Sequence, residues 1–171
     1  MFRLLLRNDA LFFFLEGACM KRSFYLGAKS KKAVKGEANV FITGLSRFDG
    51  NVEIFVTDEN EVTVLARQKF DEQRSALLQI DFKYDIASAE HKYEVGGKVS
   101  SILYMLVDEA GTKFTPYPAV FGSGSVNVTF DSTIGTFSAD FRLKVQNSPT
   151  EPELDASGAF ENVSGLVHQT K

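Results

Sequence analysis

Two histidines, one cysteine and two short acidic turns are the side chains in this 171-residue chain whose types invite a chemical reading. Their spacing gives them little to work with. His91 follows Ala89-Glu90 in a polar connection, and His168 stands near the C-terminal end. Neither is preceded or followed by a nucleophile-elbow pattern, so a Ser/His/Asp triad has no support beyond the abundance of Ser and Asp. Cys19 is the one cysteine, which excludes an internal disulfide and a cysteine-based zinc site, and fits a reducing compartment. Asp58-Glu59-Asn60-Glu61 offers oxygen atoms at alternate positions, as calcium loops do. It lacks the central glycine and closing glutamate of such a loop and reads as a solvated hairpin turn. Asp131-Ser132-Thr133 reads likewise, as a side chain bonding its own turn. Phosphate loops, dinucleotide fingerprints and zinc spacings do not occur, so no catalytic residue, cofactor or metal ligand is assigned.

The elements that would carry any site are strands. From about Glu37 to Val163, short runs alternate apolar and polar residues and end at Gly, Asn, Asp or Pro; Leu78-Gln79-Ile80-Asp81-Phe82-Lys83-Tyr84 is the clearest. A period of two marks a strand with one face buried and one wet. The runs at 38–43 and 52–57 are separated by a turn holding Asp49-Gly50, residues that tolerate a tight reversal. Residues 52–57 and 62–67 read as a hairpin, with Val52, Ile54 and Val56 on the same side as Val62, Val64 and Ala66. Residues 87–92 read as a short helical turn. Ile102-Leu103-Tyr104-Met105-Leu106-Val107 is unbroken and apolar, which predicts a central strand covered on both faces. Pro116 and Pro118 confine their segment to a loop or an edge. Residues 137–145 place Phe137, Ala139, Phe141, Leu143 and Val145 on one face and Ser138, Asp140, Arg142 and Lys144 on the other. Gly135-Thr136-Phe137 and Gly158-Ala159-Phe160 echo one another, each glycine relieving crowding beside a ring or marking a bulge.

Eight or nine such strands predict an all-β fold, an antiparallel β-sandwich, with a closed up-and-down β-barrel as the alternative. The hydrophobic content of 44%, with sixteen Phe, five Tyr and no Trp, is enough for one core and suits pleated surfaces. The domain is placed at 37–165, followed by a polar tail at 166–171.

Charge divides the chain. Residues 21–36 form a basic leader in which Lys21, Arg22, Lys29, Lys31, Lys32 and Lys35 meet no acid before position 37, whereas residues 36–171 hold 20 acidic and 11 basic groups, a net of −9. An acidic body repels the polyanions that such a leader attracts, so the leader reads as a solvated tail and carries no strong nucleic-acid signal. Residues 1–20 resemble a secretory signal only at a glance. The apolar run from Ala10 to Leu15 is short for a signal core and far too short for a transmembrane segment, and Glu16 sits three before Cys19. Glu16-Gly17 is encodable by a purine-rich stretch resembling a bacterial ribosome-binding sequence, which makes Met20 the expected start and a cytoplasmic location the expected one. Export is the alternative if residues 1–19 are a signal.

The remaining signal is aromatic. Phe41 and Phe55 sit opposite the core-facing parity of neighbouring strands, and Phe114, Tyr117 and Phe121 lie on a Pro-flanked segment. These five are the candidate recognition surface, on a non-catalytic binding module for a protein partner or a second copy of itself. The rival reading is a small barrel holding an apolar ligand among its rings, and an enzyme of unknown class comes third.

Overall fold

A computed structural model describes residues 33–108 and 112–169 in full, together with the backbone of three strands nearer the N-terminus. Those strands, β1 (Leu5–Arg7), β2 (Ala10–Phe13) and β3 (Arg22–Tyr25), form an antiparallel sheet in the order β1-β2-β3, within a unit that spans Met1–Lys31. Cys19, Met20 and the expected start there lie outside the described residues.

The second unit, Lys32–Lys171, is all-β, and no helix occurs among its described residues. Its strands are β4 (Lys35–Ile42), β5 (Phe48–Thr57), β6 (Glu61–Lys69), β7 (Ser75–Lys83), β8 (Ala89–Lys92), β9 (Val99–Asp108), β10 (Lys113–Pro118), β11 (Ser125–Asp131), β12 (Thr136–Val145), β13 (Leu154–Ser164) and β14 (Val167–His168). Ten of them form one antiparallel sheet in the order β10-β9-β7-β6-β5-β4-β13-β12-β11-β8, curled into a half-barrel. The antiparallel all-β class predicted from alternation is the observed one. The strands exceed the eight or nine expected because 89–92, read as a helical turn, pairs with β11, and because Val167–His168 of the polar tail pairs parallel to Val56–Thr57 of β5.

The segment after β10 draws the two ends of the sheet together. The Ala119 N–H donates to the Ile102 carbonyl on β9, the Val120 N–H to the Lys144 carbonyl, and the Gln146 N–H to the Pro118 carbonyl, so 118–120 runs between β9 and the end of β12. Two residues further on, the Gly122 N–H donates to the Tyr93 carbonyl and the Tyr93 N–H to the Gly124 carbonyl, which ties in the end of β8. The edge predicted from the prolines is therefore real. In the β10–β9 register the backbone donors of Lys113, Thr115 and Tyr117 share the parity of Ala119 and face β9, which leaves Pro116 and Pro118 at positions whose missing N–H would point away from the sheet.

Curling brings distant strands face to face. Phe82 on β7 and Phe137 on β12 stack with centroids 4.9 Å apart and planes at 16°, although four strands separate them in the sheet. Phe55, Phe130 and Phe160 close around this pair, and Phe48 meets Tyr104 edge-on at 6.0 Å. Such geometries add to the area that the rings bury. Gly158 belongs to this core through its lack of a side chain, since a Cβ there would stand 2.5 Å from the Asn39 carbonyl oxygen and 2.6 Å from the Phe141 ring. Gly135 instead sits in a turn with φ of 69°, so the two glycines of the echoed triplets do different work.

The β5–β6 hairpin departs from the predicted parity. Val52 faces Ala66, but a bulge follows, after which Ile54 pairs with Leu65, Phe55 with Val64 and Thr57 with Val62. One extra residue in β5 turns Ile54 and Val56 away from Val62, Val64 and Ala66, and turns Phe55 inward.

Candidate functional site

The five aromatic candidates do not gather on one surface. Phe55 is a correction: the bulge in β5 rotates it into the core, where it is 0% exposed, and it offers nothing to a partner. Tyr117 is half-buried, its ring 6.1 Å from that of Tyr104, and serves the core from the edge strand. Phe114 is half-buried opposite Val107. Phe121 is exposed on one side and stacked on Tyr93 on the other, with centroids 4.8 Å apart. Burial pushes the Tyr93 phenol up to about 12, so it is a neutral platform at any ordinary pH. Phe41, with 57% of its surface exposed, is left as the aromatic side chain standing free on a wet face.

The other chemical candidates bond locally. The Asp58 carboxylate accepts the N–H groups of Asn60 and Glu61, within a turn where Glu59 has φ of 68°. Asp131 accepts from the N–H groups of Thr133 and Ile134. His91 Nε2 lies 2.7 Å from the Ala87 carbonyl, and His168 Nδ1 lies 3.5 Å from Glu59 Oε1. Buried Asp81 accepts from the Thr63 hydroxyl at 2.6 Å and from the Gln79 amide at 2.8 Å.

Around Phe41 the register builds something that no single strand displays. Alternation in β12 puts Asp140, Arg142 and Lys144 outward, while Ala139, Phe141 and Leu143 face the core. Across the sheet Phe41 pairs with Ser157, Ser157 with Arg142, Arg142 with Ser125, and Ser125 with Lys92. Arg47 extends that row on the far side of Phe41, one residue beyond the Val40–Phe48 pair. Two residues along each strand, Asp49 pairs with Asn39, Asn39 with Ala159, Ala159 with Asp140, Asp140 with Asn127, and Asn127 with Glu90. One row carries Arg47, Arg142 and Lys92 and no acid; the next carries Asp49, Asp140 and Glu90 and no base. The rows lie roughly 7 Å apart, the repeat of two residues along a strand.

Phe41 and Arg142 flank the small side chains of Ser157 and Ala159 on β13, and two strand spacings, about 10 Å, separate them. The result is a trough that opens into two shallow hollows of about 490 and 590 Å³, which share Phe41, Arg142 and Ser157. Arg142 and Lys92 form no ion pair among the described residues, whereas Arg47 contacts Asp49 at 3.0 Å. Asp140 accepts a hydrogen bond from Asn127 and Glu90 one from Ser125. An exposed ring beside a guanidinium without an ion-pair partner among the described residues, over a floor of small side chains, is suited to gripping a side chain of a partner and is poorly suited to covalent chemistry.

The charged members of this site were missed in the aromatic reading. Their signal was present in sequence as sign reversals at wet positions two apart, Arg47/Asp49, Glu90/Lys92 and Asp140/Arg142. The register between strands is what turns three reversals into two rows.

No protein-family model, curated protein or solved structure matches this chain.

Proposed function

We propose that this protein is a non-catalytic binding module that engages another protein surface through the outer face of β4, β13 and β12. The observation that carries the reading is Phe41, a large apolar side chain held on a wet face across Ser157 from Arg142, which has no ion-pair partner among the described residues. Aromatic and arginine side chains dominate the energetics of protein interfaces. The interior speaks for a surface site over an enclosed one, because the rings of Phe55, Phe82, Phe137 and Phe160 occupy the space between opposed strands that an apolar ligand would need.

The test is photocrosslinking in the cells that make the protein, with Phe41 replaced by p-benzoylphenylalanine. The same replacement of Ile134, which is also exposed but lies in a turn away from the trough, serves as control. A discrete protein adduct from position 41 and none from position 134 is the expected result. No adduct from position 41 defeats the proposal.

A further inference from the structure

We infer that the occupant of the Phe41 face is a second copy of this chain, bound face to face about a two-fold axis; this rests on the binding reading above and names its partner. The argument is charge complementarity of the face with itself. Each cationic member of one row has an acidic neighbour two residues away in the same strand or at its start: Arg47 with Asp49, Lys92 with Glu90, Arg142 with Asp140. An axis lying in the contact plane, between the two rows and parallel to them, sets the cationic row of each copy on the acidic row of the other. Arg142 then faces Asp140, Lys92 faces Glu90, and Arg47 faces Asp49, each contact occurring twice. The same rotation carries Phe41 over Asn39, one strand from the small side chain of Ala159, so the protruding ring lands at the border of the trough. A partner of one sign gains from one row and loses to the other, whereas a second copy satisfies both.

The curvature of the sheet limits the contact. The face lies on the outside of the half-barrel, so two copies touch most closely near Phe41, Ser157 and Arg142 and separate toward β5 and β8. Arg47 is already paired with Asp49 in its own copy, so Arg142 and Lys92 supply most of the new attraction. The dimer is therefore small, weak and sensitive to salt.

Light scattering after size exclusion, with the intact chain at low salt from about 10 to about 500 µM, reads the association directly. The wild-type mean mass is expected to climb from 18.9 kDa toward twice that value and to fall back at about 500 mM salt. Arg142→Glu and Asp140→Arg each place like charges together twice per dimer, so each variant alone is expected to associate at least about tenfold more weakly. Mixed in equal amounts, the two variants set the new carboxylate at position 142 of one copy against the new guanidinium at position 140 of the other, and association is expected to return. Melting curves by circular dichroism, unchanged for both exposed substitutions, show that neither variant has lost its fold. A wild type that stays at 18.9 kDa throughout overturns the inference, as does a mixture no better associated than its components. In the photocrosslinking experiment an adduct of any mass other than twice the chain removes the second copy and leaves the binding reading standing. No adduct removes both.

Discussion

Strand β12 buries every second residue, whereas β6 buries five in succession, from Val62 to Ala66. The contrast extends to the neighbours of each. In β9, Tyr104 and Met105 point to opposite faces, yet both are only 1% exposed, and in β7 the same holds for Ile80 and Asp81. On the other side of the half-barrel, β4, β12 and β13 keep one face in water. A single continuous sheet thus contains a half covered on both sides and a half covered on one, and the coding differs most between β9, a nearly unbroken apolar run, and β12, a strict alternation, whereas β7 alternates in sequence yet buries Asp81 on its polar face. The wet half is where charge is free to be arranged in rows, because only there does an ionised side chain avoid a desolvation cost.

The largest effect is expected where the halves meet. Phe82→Ala removes the ring stacked on Phe137 and should cost about 3–5 kcal/mol in urea unfolding, since opposed strands cannot collapse into the gap. Met105→Lys then separates the halves: a charge forced onto a buried face of β9 should cost about 3 kcal/mol, while Arg142→Glu on the wet face should change stability by less than about 0.5 kcal/mol. Equal costs would erase the distinction between them. Thr63→Val withdraws the hydroxyl that the buried Asp81 carboxylate accepts and should cost about 2 kcal/mol, with the shape of the side chain preserved.

High pH should act through buried phenols toward both ends of the sheet. Burial raises Tyr93 and Tyr104 from 10.0 to about 12. A phenol raised on folding contributes stability that is whole below the unfolded value near 10 and lost as pH climbs through 12. Melting temperature should therefore drop across that window, with tyrosinate absorbance from these two rings appearing last. The smallest effect is Tyr104→Phe. Its hydroxyl is buried without a hydrogen-bond partner, so its removal should leave stability within about 1 kcal/mol of wild type or raise it.

Much of this fold is legible because alternation survives in the strands that face water on one side. The parity of β12 reads directly, from Phe137 through Val145, and the run from Ile102 to Val107 announces a strand with no wet face. Phe55 was unreadable for a physical reason: one extra residue in β5 reverses parity after Val52, and nothing in Asn51-Val52-Glu53-Ile54 distinguishes a bulge from a regular strand. Residues 89–92 look helical in isolation and become a strand through the free edge of β11. The proposed recognition face is legible only in part. An exposed Phe41 follows from parity, but Arg142 becomes its neighbour through pairings of β4 with β13 and of β13 with β12, and the long loop at 146–153 hides that register.

Pro116 and Pro118 bear on how this molecule meets others. A sheet whose last strand keeps a single outward donor, the Phe114 N–H, and whose opposite end is a strand of only four residues, gives an incoming chain little ladder to extend. Growth by strand addition, the usual route from an open sheet to fibres, is thereby hindered. Crowding such molecules together brings their convex outer faces into play before their borders.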